Sequence, residues 1–98
     1  MRYWEIWNEP DSSCDFAKAP SCGRFWNRSH SEFYDLVDSL ARAIKAYDPA
    51  LQVGGAGIAN VVYPDNNPYS WGLIEFMGKK QTPIDFFSFH GYIDKPSW

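Results

Sequence analysis

Apolar and polar positions change period several times along this 98-residue chain, and each change predicts an element. From Tyr3 to Trp7, aromatic, charged and branched side chains alternate. That predicts a short strand, closed by Pro10, which has no N–H to give to a ladder. The segment from Asp11 to Arg28 is rich in Ser, Pro, Cys and Gly, carries no apolar period, and reads as a loop with functional potential. In "SHSEFYDLVDSLARAIKAYDP", Phe33, Leu36, Val37, Leu40, Ala41, Ile44 and Tyr47 recur on one face at helical spacing. Ser29 and Glu32 supply an S-x-x-E capping box at its start, and Asp48-Pro49 a stop. "LQVGG" predicts a brief buried strand, and a loop rich in Gly, Asn and Pro follows from Gly54 to about Pro68. A second helix is predicted over roughly Tyr69 to Lys80 despite Gly72 and Gly78, with Thr82-Pro83 as its breaker. Ile84 to Phe89 is nearly all bulky, which suits a strand covered on both faces.

Strand, helix, strand, helix, strand is the order of parallel strands joined by right-handed crossovers. The pattern fits an open sheet and a piece of a barrel equally. Three parallel strands leave two bare edges, and the first strand starts at residue 2 or 3, so the chain is expected to be a fragment of something larger. Charge and composition narrow the partners. Net charge is −3, and no run of Lys or Arg marks a phosphate-binding stripe, so nucleic acid is not an expected partner. No apolar stretch reaches membrane-helix length, so no membrane is expected, and no signal peptide precedes the first strand. Aromatic residues make up 18% of the chain, enough both to fill a core and to line a surface on which sugar rings stack.

The candidate chemistry sits in "RYWEIWNEP". Strand parity puts Glu5, Trp7 and Glu9 on one face and Trp4, Ile6 and Asn8 on the other. Glu9 falls at the carboxyl end, where parallel α/β architectures build their active sites. Glu5 lies further down, where a carboxylate is expected to be buried and to need a partner. For Asn8 and Glu9 to reach one ligand, the strand must bulge or end there. On residue chemistry alone, Asn-Glu-Pro reads equally as a polar turn, and His90 as a hydrogen-bonded histidine at a strand end. Elsewhere the signals are thinner. Two His and two Cys make no zinc pattern, and "GGAG" lacks the spacing of a nucleotide loop, so neither metal nor cofactor is expected. Cys14 and Cys22 either staple the long loop, which suits an oxidising compartment, or stand as separate thiols. Asn27-Arg28-Ser29 is a glycosylation sequon, but Ser29 is better explained as the helix cap.

"WEIWNEP" resembles the fourth-strand signature of clan A glycoside hydrolases, which are (β/α)8 barrels. Phe25-Trp26, "KAYDPALQVGG" and "PIDFFSFHGY" extend the likeness, in order and spacing, to glycoside hydrolase family 39, which includes β-xylosidases and α-L-iduronidases. "VGGAG" departs from the family, which often has Pro after the Gly pair. The resemblance implies that the chain covers barrel strands four to six of a retaining enzyme acting on a carbohydrate. Glu9 would be the general acid/base, Asn8 a substrate ligand, and His90 and Tyr92 further residues of the substrate site. The nucleophile would come from strand seven, outside this chain. Asp94, in a loop past Tyr92, and Asp85, at the amino end of the last strand, do not fit that role. The parent protein is expected to be extracellular, and the isolated chain inactive. A non-catalytic carbohydrate-binding module and an inert truncated product are the alternatives.

Overall fold

The computed structural model describes residues 2–12, 24–59 and 67–91. Three strands, β1 (Tyr3–Ile6), β2 (Gln52–Ile58) and β3 (Phe86–Phe89), form one parallel sheet in the order β1-β2-β3. Helix α1 (His30–Tyr47) connects the first pair, and α2 (Leu73–Lys80), entered through a π-turn at Pro68–Gly72, the second. The β-α-β-α-β order is the one the pattern predicts.

Helix α1 starts where its cap chemistry puts it. The Ser29 hydroxyl accepts the Glu32 N–H at 3.2 Å, and the Glu32 carboxylate accepts the Ser29 N–H at 3.3 Å. Arg28 at 2.7 Å, with that Ser29 N–H, holds the Glu32 carboxyl below the usual range. Phe33, Val37 and Ala41 are buried, and Leu36 and Ile44 pack half-buried beside them. Two residues of the predicted face depart from it: Leu40 is exposed, and Tyr47 is 88% exposed. The buried stripe follows the i, i+4 ridge Phe33, Val37 and Ala41.

Strand β2 runs beyond its predicted end. Gly54–Ile58, expected to open a loop, are strand, and Val53–Ile58 are buried. Small residues are what the central strand needs here. A Cβ on Gly54 would run into the ring and carbonyl of Phe86, its register partner. Between Gly55↔Phe87 and Ile58↔Phe89 the register slips by one residue, a bulge that leaves Gly57 at φ 62°.

Both helices pack on one face of the sheet, where Ile6, Val53, Ile58, Phe33, Leu73 and Met77 form the core. Against the expectation of two covered faces, Phe86 to Ser88 are half-buried and Phe89 is exposed. The helices are tied at their far ends: the Thr82 hydroxyl donates to Asp38 at 2.6 Å and Arg42 to the Lys80 carbonyl at 2.7 Å. At the amino end of the sheet, Asp85 clamps β3 to β2. Its N–H donates to the Val53 carbonyl at 2.7 Å, and its carboxylate accepts the Val53 N–H at 2.9 Å. Lys45 of α1 lies 2.7 Å from the same oxygen.

Candidate active site

The site is built where β1 stops. After Ile6 the backbone leaves the extended region, with Trp7 at φ 67° and Glu9 at φ 47°. Both values lie in the left-handed region, which costs a non-glycine residue about 1–2 kcal/mol. The parity assigned to Trp7, Asn8 and Glu9 from a continuing strand therefore fails, and the end of the strand lets neighbouring residues share one site.

Specific contacts offset that strain. The Trp7 indole donates to the Phe25 carbonyl at 3.1 Å and meets Trp26 edge-on at 5.4 Å, and Trp26 meets Phe33 of α1 at 5.3 Å. The Glu9 N–H donates to the Gly57 carbonyl at 3.0 Å. Pro10 and Asp11 are fully buried. Asp11 accepts the Ala59 N–H at 2.8 Å with one oxygen and the Asn67 amide at 2.7 Å with the other. Asn67 in turn accepts the Tyr69 N–H at 2.9 Å, so one carboxylate links the Glu9 turn to the end of β2 and the start of the second helical segment.

Two cross-strand pairs follow, one above the other. In the upper pair, His90 Nδ1 lies 2.7 Å from Glu9 Oε2. The Glu9 side chain is 12% exposed and that of His90 34%. The His90 N–H donates to the Ile58 carbonyl at 2.8 Å, which fixes the imidazole at the sheet's carboxyl end. In the lower pair, the Ser88 hydroxyl donates to Glu5 Oε1 at 2.5 Å and accepts the Gly57 N–H at 2.9 Å. Gly57 lies between the pairs. A Cβ there would sit 3.0 Å from Glu5 Oε1, 3.3 Å from His90 Nε2 and 3.4 Å from Asn8 Oδ1.

The structure thus brings Asn8, Glu9 and His90 together. Tyr92 lies outside the described residues, as do Asp94, Cys14 and Cys22. Glu5, expected to be buried, is exposed on the open face, and its partner is Ser88. Asp85 stands at the opposite end of the sheet, as the sequence reading has it. Among the described residues, no three His, Cys, Asp or Glu side chains gather as a metal site. Ser88, Gly57 and Asp11 were not singled out from the sequence. Ser88 was within reach of it, since it precedes His90 by two and strand parity turns both the same way.

A parallel sheet with helices on one face thus places a carboxyl group and an imidazole side by side at its carboxyl end. The chain belongs to the glycosyl hydrolases family 39, whose family model matches residues 2–97. It is similar to a beta-xylosidase of Geobacillus stearothermophilus, 32% identical over 97% of this chain and 17% of that protein. A human alpha-L-iduronidase is 30% identical over 89% of this chain and 13% of its own length. Among solved structures, a GH39 enzyme from Xanthomonas axonopodis pv. citri matches with TM-score 0.66 and 36% identity, over 92% of this chain and 15% of that one. A glucosidase from Croceicoccus marinus matches with TM-score 0.67 and 29% identity, over 91% and 16%. The chain spans less than a fifth of the length of each of these relatives.

Proposed function

We propose that this chain is part of a retaining glycoside hydrolase with a (β/α)8 barrel, in which β1 to β3 correspond to barrel strands four to six. Glu9 is its general acid/base, and Asn8, His90 and Tyr92 face the sugar. The substrate is a carbohydrate, a β-linked or uronic glycoside, and the parent protein is extracellular. The nucleophile is a carboxylate of strand seven, held about 5–5.5 Å from Glu9 as retention requires.

The observation that carries the reading is the upper pair: a nearly buried glutamate at a strand's carboxyl end, 2.7 Å from an imidazole nitrogen. Low exposure favours the neutral acid that the first step needs. With a hydrogen on Nδ1, His90 donates to Oε2 and leaves the acid's proton on Oε1. Glu9 gives that proton to the leaving oxygen as the nucleophile attacks the anomeric carbon. In the second step the Glu9 carboxylate takes a proton from water, whose oxygen displaces the nucleophile. Trp7, Asn8 and Phe25 line an open hollow, which supports a ring-stacking role for the exposed aromatics.

The test uses the full-length enzyme that carries this segment. Glu9→Gln should fail on alkyl glycosides, retain more activity on nitrophenyl glycosides that need no proton, and recover turnover with azide. Equal losses on both substrates with no azide effect rule out the acid/base role.

A further inference from the structure

The reading above uses Glu9 and His90 but leaves a second cross-strand pair without a task. Glu5 and Ser88 join the same two outer strands one tier lower. The Ser88 oxygen accepts the Gly57 N–H while its O–H donates to Glu5 Oε1. At 2.5 Å this is a short bond to a carboxyl group, of the strong charge-assisted kind when Glu5 is ionised.

The upper tier hangs on the same residue. The Gly57 N–H holds Ser88 and, through it, Glu5, while the Gly57 carbonyl accepts the N–H of Glu9 at 3.0 Å. Ser88 lies two residues before His90 on β3, and the N–H of His90 is fixed by the neighbouring Ile58 carbonyl. Glu5 Oε1, Asn8 Oδ1 and His90 Nε2 close round the space where Gly57 lacks a side chain. A shift of the lower pair therefore reaches Glu9 through the Gly57 backbone, N–H to carbonyl, and His90 through β3. Stability alone does not call for such a pair. An exposed carboxylate on an open sheet face adds little to folding, and an apolar pair would join the strands as well.

We propose that Glu5 and Ser88 are positioning residues of the acid/base site, setting through Gly57 the distance at which His90 meets Glu9. The proposal rests on the acid/base reading of Glu9. Neither residue touches the reacting atoms, and both act by fixing geometry. A misplacement of about 1 Å can cost on the order of 100-fold in rate.

The experiment compares Glu5→Gln, Ser88→Ala and the double variant in the full-length enzyme, on an alkyl glycoside that the wild type hydrolyses and whose leaving oxygen needs the proton of Glu9. Competent sites are counted by trapping with the matching activated 2-fluoro glycoside, so misfolded protein does not enter the rate. The kcat per competent site should fall about 10–100-fold in each single variant, with KM near that of the wild type. The double variant should be no slower than the slower single one, because both substitutions break the same link. An unchanged kcat per competent site beside a lowered melting temperature overturns the proposal, and so do losses that multiply in the double variant. Glu9→Gln is run alongside. If azide rescues it while Ser88→Ala keeps full kcat, positioning falls and the acid/base reading stands. If azide fails to rescue it, the reading of Glu9 falls and the proposal goes with it.

Discussion

Asp85 and Glu9 are two carboxylates at opposite ends of one sheet, each held against a neighbouring strand, and their partners differ in kind. Asp85 meets the Lys45 ammonium at 2.7 Å and the Val53 N–H at 2.9 Å. The lysine bond, then the backbone bond, pull its carboxyl below the usual range. Lys45 also donates to the Leu51 carbonyl at 2.7 Å, so the cation is itself anchored. Glu9 meets an imidazole at 2.7 Å, a ring that can donate to a carboxyl from one nitrogen. A carboxylate facing an anchored ammonium keeps one charge state and braces the sheet. A carboxyl facing an imidazole is held by a hydrogen bond instead of an anchored ammonium. The kind of partner separates the two carboxyl groups.

Four substitutions break or sharpen that contrast. The largest effect belongs to Glu9→Gln, which should slow the full-length enzyme on an alkyl glycoside by about 10²–10⁴ for each proton transfer removed. Asp85→Asn should leave kcat per competent site at the wild-type level, and a comparable loss there would erase the distinction. Gly57→Ala comes second. The new Cβ would press on Glu5, His90 and Asn8 at 3.0–3.4 Å, at a φ of 62° that alanine resists. A stability loss of about 1–2 kcal/mol is expected. A rate loss of roughly tenfold should accompany it, since the contacts crowd the site as well as the backbone.

Asp85→Asn is third, lowering stability at neutral pH by about 1 kcal/mol, because the ion pair is partly solvated. Its sign with pH follows from the depressed carboxyl. The Asp85 contribution is complete above the unfolded value of roughly 3.9 and disappears as pH falls through the lower folded value. Melting curves of the wild type and Asp85→Asn should therefore converge on acidification below about pH 4, and a gap that persists there would deny Asp85 its bracing role. The smallest effect is that of Ser29→Ala, which removes a helix cap at a cost of about 0.5–1 kcal/mol and should leave kcat per competent site unchanged.

Much of the fold was legible because several signals agreed in each element. Helix α1 had periodicity, a capping box and a proline stop, and its start matches the prediction to the residue. Strand β2 was half missed. Its Gly-Gly-Ala-Gly run lacks the bulky residues that mark strands, and what requires small residues there is the Phe86 ring, 32 positions away from Gly54. The turn after β1 was misread for the opposite reason. Alternation holds only while the backbone stays extended, and the left-handed Trp7 and Glu9 are imposed by Gly57 and by the Phe25 and Trp26 contacts, remote in sequence. Asn8, Glu9 and His90 could be named from their motifs and strand ends. Asp11 could not, since an acidic residue in a polar loop gives no sign that it will be fully buried.

The Asp11 clamp also carries a consequence for the order in which the chain folds. Its hydrogen bonds to Ala59 and Asn67 join residues 48 and 56 positions apart, while the Glu9–His90 and Glu5–Ser88 contacts span 81 and 83. Helix α1 needs only neighbours three and four residues away and can form in microseconds or less. The long closures bring no gain until both partners have arrived, so they wait for β2 and then β3 to dock. Before then the turn at Glu9 has the local bond from the Ser12 N–H to the Glu9 carbonyl, 3.1 Å, but not the bond to Gly57. During folding, Glu9 is thus among the last residues to complete its contacts, although it lies among the first ten of this chain.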